Sequence, residues 1–258
     1  MFEKEYAIAI EAARKAGNAI AGYFGRQYTV HEKGPDQPVT DADREANRVI
    51  HETILSEFPD DGWLSEETKD DAVRLGKKRV WIVDPLDGTK EFIAKIPEFA
   101  VSIALVQDGK PVVGVINNPM TGELSTARKG EGAYLNRRRL KVTSGKDLIA
   151  ASILASRSEI GRGEWQRFVG QFLIQISGGM ACKMSLVAAG VADGSFSLQP
   201  KNEWDIAAGV LLVEEAGGNV TDLNGKPFIF NKSNPRLPNI VYGNPAIHKK
   251  LLEMLKGA

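Results

Sequence analysis

Two carboxylates stand close together at the end of an apolar run, where they could bind a cation. The run 80–83 predicts a buried strand, and Pro85 is expected to end it because proline cannot donate a hydrogen bond to a sheet. Asp84 and Asp87 flank that proline, and Gly88 then permits a turn. Like charges at this spacing repel unless a cation lies between them, and hard oxygen ligands on a tight loop suit Mg²⁺.

The two residues after this pair could bind a phosphate. The backbone N–H groups of Gly88 and Thr89 would be free to donate to one if a helix begins at this point. The same pattern, Asp-Pro-x-Asp-Gly, is also typical of an ordinary surface turn, because all three residue types favour turns. This stretch alone therefore leaves a metal site and a turn as alternatives.

Three more acidic residues lie at points where the chain turns, and each has a simpler structural alternative. Asp43 and Asp205 fall in the first turns of predicted helices, where they could act as caps, and Glu66 belongs to an acidic pair of the kind that usually faces solvent. Together with Asp84 and Asp87 they form an all-oxygen set, which favours Mg²⁺ or Mn²⁺. Zinc is disfavoured because no histidine has ligand-like spacing among His31, His51 and His248.

The composition is that of an ordinary globular protein with no general attraction for polyanions. The 258 residues contain 33 basic and 33 acidic side chains, so no global field favours nucleic acid or an anionic membrane. The basic cluster 137–139 is interpreted as a solvated hairpin turn. Cys182 is the single cysteine, so no intrachain disulfide is expected. Neither a signal peptide nor a membrane-spanning run is recognised, and the cytoplasm is the expected location.

The elements that would position these residues divide into two halves. Residues 1–143 are expected to form an α+β half with a largely antiparallel sheet and two opening helices against it. Periodic apolar residues predict helices over 2–24 and 40–58, and the polar segment 28–38 between them is predicted to be irregular. Strands are predicted at 80–83, 100–106, 112–117 and 123–127, and at 132–135 and 139–142 around a turn at 136–137.

Residues 144–258 are expected to form an α/β half. The stretch 204–216 is apolar almost throughout, which predicts a central, buried helix ended by Gly217 and Gly218. Further helices are predicted at 165–172, at 181–189 and from Asn244 onwards, where Pro245 suits the first helical position. Strands are predicted at 151–155, 196–198, 219–222 and 240–242.

Considered together, these motifs resemble the inositol monophosphatase superfamily of Mg²⁺-dependent, lithium-inhibited phosphatases along almost the whole chain. The two signatures are residues 81–89, Trp-Ile-Val-Asp-Pro-Leu-Asp-Gly-Thr, and residues 204–209, Trp-Asp-Ile-Ala-Ala-Gly, with Ser-Glu-Glu at 65–67 before them. The resemblance implies an α+β fold, a layered αβαβα sandwich of two sheets with flanking helices. It also implies that ligands from both halves meet in one cleft.

The resemblance implies a metal-binding role for each matching acidic residue. Glu66, Asp84 and the carbonyl of Leu86 would hold an activating Mg²⁺. Asp84, Asp87 and Asp205 would hold a second ion. Two or three ions per site are expected, with Mn²⁺ as an alternative.

Catalytic and substrate-binding roles follow from the same resemblance. Asp43 would reach a weakly bound third metal or its water, and would orient the hydroxyl of Thr89, which helps to position or deprotonate the attacking water. Gly88 and Thr89 would donate backbone N–H groups to the phosphate, with Asp87 and Asp205 also at the substrate. Hydrolysis would be a direct in-line attack by metal-bound water, without a covalent phospho-enzyme.

Several details are similar to the 3′(2′),5′-bisphosphate nucleotidase branch of this superfamily. They are Lys-Glu-Phe at 90–92, Ser-Arg-Ser at 156–158, and the helix 182–188, which places Lys183 where the inositol enzymes tend to have Asn. The segment 197–199 also lacks the Glu that contacts inositol hydroxyls in that branch. The expected reaction is removal of the 3′-phosphate of adenosine 3′,5′-bisphosphate, with Lys183 near the other phosphate, although Lys183 could also be a surface lysine.

Two departures from the pattern leave the substrate open. Ser65 replaces the Gly that is common before the family's Glu, and the loop 201–203 does not match the bacterial nucleotidases. The alternatives are a phosphatase for inositol 1-phosphate or fructose 1,6-bisphosphate and, in another class, a non-catalytic partner of the transcription machinery. The expected partners are a small phosphorylated metabolite and a second copy of the chain in a homodimer.

Overall fold

The computed structural model describes residues 1–34 and 37–256, and seven α-helices lie in this part of the chain. They are α1 (Glu3–Tyr23), α2 (Asp41–Leu55), α3 (Thr89–Ile93), α4 (Arg157–Gly161), α5 (Met180–Ala188), α6 (Glu203–Glu215) and α7 (Pro245–Leu255). None of these helices is long and apolar enough to cross a membrane. The last two residues of the predicted second half lie outside the described residues, as do residues 35–36 of the segment predicted to be irregular.

The larger sheet has seven strands that follow one another in chain order. Every neighbouring pair is antiparallel except the first, which is parallel. The strands are β3 (Gly62–Ser65), β4 (Arg79–Asp87), β5 (Ala100–Gln107), β6 (Lys110–Asn118), β7 (Glu123–Arg128), β8 (Gly132–Leu135) and β9 (Arg138–Arg139). The hairpin of β1 (Val30–Glu32) and β2 (Pro38–Thr40) precedes it. The prediction of a largely antiparallel sheet is confirmed.

The second sheet has five strands in the order β11-β10-β12-β16-β14, with its first three strands parallel and the others antiparallel. These strands are β10 (Ser152–Ser156), β11 (Leu173–Ser177), β12 (Gly194–Ser197), β14 (Asn219–Thr221) and β16 (Ile240–Gly243). A separate two-stranded pair joins β13 (Lys201–Asn202) to β15 (Arg236–Leu237).

Helices and sheets alternate in five layers, which confirms the predicted αβαβα sandwich. The pair α1 and α2 packs on the outer face of the seven-stranded sheet, α5 and α6 lie between the two sheets, and α7 covers the five-stranded sheet. Every residue from Ile206 to Val213 is buried, as expected for a helix that is apolar on all faces. At Gly209 an added Cβ would lie 2.4 Å from the sulfur of Met184, so α5 and α6 can approach this closely only because that residue is glycine.

The predicted helix ends are largely confirmed because they depend on local chemistry. Thr40 and Asn244 are the N-caps of α2 and α7, and each side chain accepts a hydrogen bond from the first turn of its helix. Gly190 and Gly217 follow the C-caps of α5 and α6 with φ of 70° and 88°, the left-handed conformation that glycine adopts readily. The division of the chain at residue 143 stays a prediction.

Besides the end of β4, which is described with the site below, three predictions of secondary structure were wrong. The helix predicted over 165–172 is only a 3₁₀ turn at Gln166–Phe168, because its aromatic side chains cluster around Phe196 and against one another instead of forming one helix face. Of the strand predicted at 139–142, only its first residue pairs with β8. The segment 28–38, predicted to be irregular, contains β1 and the start of β2.

Candidate functional site

Strand β4 carries the paired carboxylates past the expected proline stop. Its register against β5 shifts between Asp84 and Asp87, so the strand continues through Pro85 with an irregularity instead of ending there. The side chain of Asp84 is buried, and its Oδ1 accepts a hydrogen bond of 3.0 Å from the backbone N–H of Leu86. The irregularity therefore presents two carboxylates and a backbone carbonyl within four residues.

Asp87 is held by the N-terminus of α5. Its two carboxylate oxygens accept hydrogen bonds from the backbone N–H groups of Met180 at 3.0 Å and Ala181 at 2.7 Å. These donors have no partner within their helix and lie at the positive end of its dipole. Burial raises the pKa of Asp87 to about 6, and the two hydrogen bonds limit that rise. A side chain from the first half is thus positioned by the backbone of the second.

Asp43 links the start of α2 to Thr89. Its Oδ2 accepts hydrogen bonds from the N–H and hydroxyl of Thr40, at 2.7 and 2.6 Å, which completes a capping box. Its Oδ1 lies 3.0 Å from the hydroxyl of Thr89, which is also 3.1 Å from the carbonyl of Leu86. The capping role considered for Asp43 is therefore real, and the same carboxylate reaches the cleft.

Gly88 makes the turn that brings Thr89 to this position. Its φ is 93°, and an added Cβ would lie 2.9 Å from the carbonyl oxygen of Glu98, so a larger residue would be strained and crowded. Helix α3 begins directly afterwards at Thr89, as the phosphate-binding interpretation required. The first N–H groups of α3 consequently have no partner within their helix.

Three carboxylates from distant parts of the chain converge beside this turn. Glu66 follows β3, Asp84 lies in β4, and Asp205 lies in the first turn of α6, where its Oδ2 accepts a hydrogen bond from Asn202 N at 2.7 Å. One oxygen from each of the three carboxylates lies within 4.8 Å of the others. The expected convergence of acidic residues from both halves is confirmed.

This carboxylate cluster resists ionisation unless positive charge is present. Burial, followed by the charge of Glu66, raises the pKa of Asp84 well above its usual value. Burial and Glu66 also raise the pKa of Asp205 to about 7. Each carboxylate makes the next harder to ionise, so a cation between them would relieve both the repulsion and the burial penalty.

Lys33 supplies one positive charge that the sequence did not indicate. Its ammonium lies 2.8 Å from Oε1 of Glu66 and 2.6 Å from Oε1 of Glu67. Burial acts to lower the pKa of Lys33, but the two carboxylates together raise it above its usual value. Lys33 follows β1 in the segment predicted to be irregular, and no motif marks it. Only the hairpin brings it to this site.

The same cleft contains a positively charged wall. The cleft has a volume of about 380 Å³, and its lining includes Lys183, Lys201, Ser156 and Ser158 in addition to the carboxylates. Lys183 is 3% exposed, which excludes the alternative of a solvated surface lysine. Within residues 1–34 and 37–256 its ammonium forms no hydrogen bond or salt bridge. Burial lowers the pKa of Lys183, and the nearby carboxylate of Glu159 opposes that effect.

With this geometry established, comparison with known proteins identifies the family. The model of the inositol monophosphatase family matches residues 1–257. This chain belongs to the inositol monophosphatase family. The inositol-1-monophosphatase of Rhizobium meliloti is 40% identical, with 96% of this chain and 95% of that protein covered. The Nus factor SuhB of Escherichia coli is 37% identical, with 96% and 94% covered.

Solved structures from the inositol monophosphatase family have the same fold. The IMPase of Thermotoga maritima matches with a TM-score of 0.86 and 31% identity, with 100% of this chain and 98% of that chain covered. CysQ of Bacteroides thetaiotaomicron, described as a bacterial member of the family, matches with a TM-score of 0.78 and 34% identity, with 95% and 98% covered. The chain is thus a phosphatase of this family, although the relatives differ in their named roles.

The residues in this cleft fit the metal dependence that is typical of the inositol monophosphatase family. The fit rests on the donor set, because hard carboxylate oxygens from Glu66, Asp84 and Asp205 lie within 4.8 Å of one another. The raised pKa values of Asp84 and Asp205 give the same indication, since burial and the neighbouring carboxylates disfavour their ionisation although Lys33 pairs with Glu66. Histidines are absent from the residues that line the cleft, as the argument against zinc expected.

Proposed function

We propose that this chain is a Mg²⁺-dependent phosphomonoesterase that removes the 3′-phosphate of adenosine 3′,5′-bisphosphate. The observation that carries the proposal is Lys183, a largely buried residue that lines the same cleft as the carboxylate cluster and whose ammonium has no ion-pair partner among the described residues. A buried cation without a partner is costly, so an anionic group of the substrate is its natural partner. A substrate with a second phosphate supplies such a group.

The proposed metal sites use the converging carboxylates. Glu66, Asp84 and the carbonyl of Leu86 would hold one Mg²⁺, and Asp84, Asp87 and Asp205 would hold a second. When bound, Mg²⁺ supplies charge neutralisation for the phosphate and makes water a better nucleophile near neutral pH. Asp43 provides the acidic group for a third ion, and Mn²⁺ could replace Mg²⁺ because both prefer oxygen ligands.

The chain's own groups orient the phosphate and the water. The N–H groups of Gly88 and Thr89, at the start of α3, donate to the phosphate oxygens. The hydroxyl of Thr89 has one proton, which it can donate to Asp43 or to the carbonyl of Leu86, at 3.0 and 3.1 Å. Donation to Asp43 leaves the carbonyl free as a ligand and directs the lone pairs of the hydroxyl towards the attacking water.

Hydrolysis of inositol 1-phosphate is the second candidate, because the 40% identical relative is named an inositol-1-monophosphatase. The segment Ser197, Leu198 and Gln199 provides no carboxylate for inositol hydroxyls, and this favours the nucleotide. The same alternative includes a phosphatase for a sugar phosphate, with fructose 1,6-bisphosphate as its substrate. A different class of function, partnership with the transcription machinery, is suggested by the relatives named Nus factor SuhB.

The test is a phosphate-release panel with the purified full chain and Mg²⁺. Adenosine 3′,5′-bisphosphate, inositol 1-phosphate and fructose 1,6-bisphosphate are compared by kcat/KM, with EDTA and with Asp84→Asn as negative controls. The proposal expects the highest kcat/KM for the nucleotide, and a preference for inositol 1-phosphate would transfer the assignment to the second candidate. Retention of RNA polymerase in a pull-down, with no phosphate release from any of the three compounds, would support the transcription partner.

A further inference from the structure

Lys201 is a further lysine in the lining of the cleft, and it does not belong to any motif of the inositol monophosphatase family recognised in the sequence. It lies on β13, and the side chain is 19% exposed where it lines the cleft beside Lys183. Its ammonium is 3.5 Å from Oε1 of Glu159, which is 2% exposed. A lysine with a long, flexible stem is therefore held at one place in the wall.

Glu159 is itself fixed by neighbours that have no part in the carboxylate cluster. Its Oε1 accepts a hydrogen bond of 2.6 Å from the hydroxyl of Ser197, and its Oε2 accepts one of 3.1 Å from Nε1 of Trp165. Burial opposes its ionisation, but Lys183, Lys201 and the hydrogen bonds from Ser197 and Trp165 together lower the pKa of Glu159 below its usual value. The carboxylate is therefore charged, and its position determines where the ammonium of Lys201 lies.

Among the described residues Glu159 is paired with Lys201 alone, and the ammonium of Lys183 has no salt bridge, so the cation of Lys183 is available to an anion in the cleft. The hydroxyls of Ser156 and Ser158, which lie 2.9 Å apart, line the same part of the chain's cleft and add neutral donors. Arg157, which lies between these two serines in the chain, is already paired with Glu98 at 2.7 Å. A phosphate group is an anion that could bind to both ammonium groups at once.

We infer that Lys201 is a specificity-determining residue, which binds, together with Lys183, the phosphate of the substrate that is not cleaved. This inference rests on the proposed function, since it assumes a substrate with two phosphates. Glu159 is the positioning residue for Lys201. The contact exists in both the ground state and the transition state, so its loss should change KM and leave kcat unaffected.

The competing explanation is that Lys201 only compensates part of the negative charge of the carboxylate cluster and does not bind the substrate. Lys201 lies close enough to Asp205 to lower that residue's pKa, against the larger effects of burial and Glu66. If this were its sole role, its removal would alter Mg²⁺ dependence and activity for every substrate alike. The two explanations therefore differ in whether the loss depends on the second phosphate.

The experiment compares two substrates that differ only in the 5′-phosphate, adenosine 3′,5′-bisphosphate and adenosine 3′-monophosphate. Lys201→Met should raise KM for the bisphosphate about tenfold and leave kcat unchanged. Tenfold is the lower end of the effect expected for losing a hydrogen bond to a charged group, and we expect the lower end because Lys201 already pairs with Glu159. Both constants for the monophosphate, and its half-saturating Mg²⁺ concentration, should stay unchanged. Lys201→Arg keeps the positive charge and should have a KM close to that of wild type. The matched control is Lys226→Met at an exposed position, which should not change KM for either substrate.

Each outcome bears on one of the two proposals. An equal KM increase for both substrates, a shift in Mg²⁺ dependence alone, or no change would overturn the role of Lys201. A wild-type enzyme that does not prefer the bisphosphate to the monophosphate would refute the nucleotidase proposal and, with it, this inference. If the Lys201→Met variant still prefers the bisphosphate to the monophosphate as strongly as wild type does, Lys201 has no role in specificity, and the nucleotidase proposal stays in place.

Discussion

Replacement of Asp205 by Asn should stabilise the metal-free protein while it abolishes catalysis. The carboxylate of Asp205 faces those of Glu66 and Asp84, with one oxygen of each within 4.8 Å of the others. Asn keeps the acceptor for the hydrogen bond from Asn202 N, so the helix cap of α6 survives. The substitution therefore removes a repelled charge and little else.

The size of the effect follows from the pKa of Asp205. A carboxyl whose pKa moves from 3.8 to about 7 on folding lowers the free energy of unfolding by about 4 kcal/mol at pH 8. Asp205 is half-buried, and water screens part of the repulsion, so we expect a gain of about 1–3 kcal/mol for Asp205→Asn. In a chain of this size that corresponds to a Tm about 3–10 °C higher.

The pH dependence of this gain has a definite sign. Well below pH 3.8 the carboxyl of Asp205 is protonated in both the folded and the unfolded state and contributes nothing. Between pH 4 and about pH 7 the unfolded chain loses the proton first, so the stability of the wild type falls relative to the variant as pH rises. Above about pH 7 both states are ionised and the difference is constant.

The assay is thermal and urea unfolding in EDTA at pH 4, 6 and 8, followed by the same series with Mg²⁺. Wild type should gain more from Mg²⁺ than the variant does, because a ligand stabilises only the state that binds it. The matched control is Asp71→Asn. Asp71 is exposed and also caps a helical turn, a 3₁₀ turn, but it does not belong to the carboxylate cluster. A variant that is less stable than wild type at pH 8 in EDTA, or that keeps near-wild-type turnover, would refute the reasoning.

Three further predictions concern the substrate, the water and the fold. Lys183→Met should raise KM for adenosine 3′,5′-bisphosphate about ten- to a hundredfold and leave inositol 1-phosphate nearly unaffected; an equal loss on both would remove Lys183 from substrate recognition. Thr89→Val should lower kcat about a hundredfold with KM unchanged, whereas Thr89→Ser should retain most activity; steady-state kinetics measures both. Arg74→Met should lower the free energy of unfolding by about 1–3 kcal/mol in urea, because buried Arg74 binds Asp70, Asn231 and the carbonyl of Lys232; no loss would show those contacts to be incidental.

Much of the fold could be predicted from the sequence because the signals are local. The apolar run before Asp84 predicted a buried strand, and the apolar stretch 204–216 predicted a helix enclosed by other layers. The starts of the helices near Thr40 and Asn244 depend on a few neighbouring residues, so they too were predicted. The same locality explains the failure at 165–172, where aromatic spacing imitates a helix and the packing against Phe196 decides otherwise.

The acidic residues of the site were found in the sequence because motifs mark them, but their mutual arrangement required the tertiary structure. That Asp205 meets Asp84 depends on α6 lying against the larger sheet, and Asp87 is held by backbone donors of α5 that carry no side-chain signature. Lys33 and Lys201 escaped prediction for the same reason. A lysine on a short strand or hairpin looks solvated in the sequence, and only the packing of distant elements determines whether its charge faces water or the cleft.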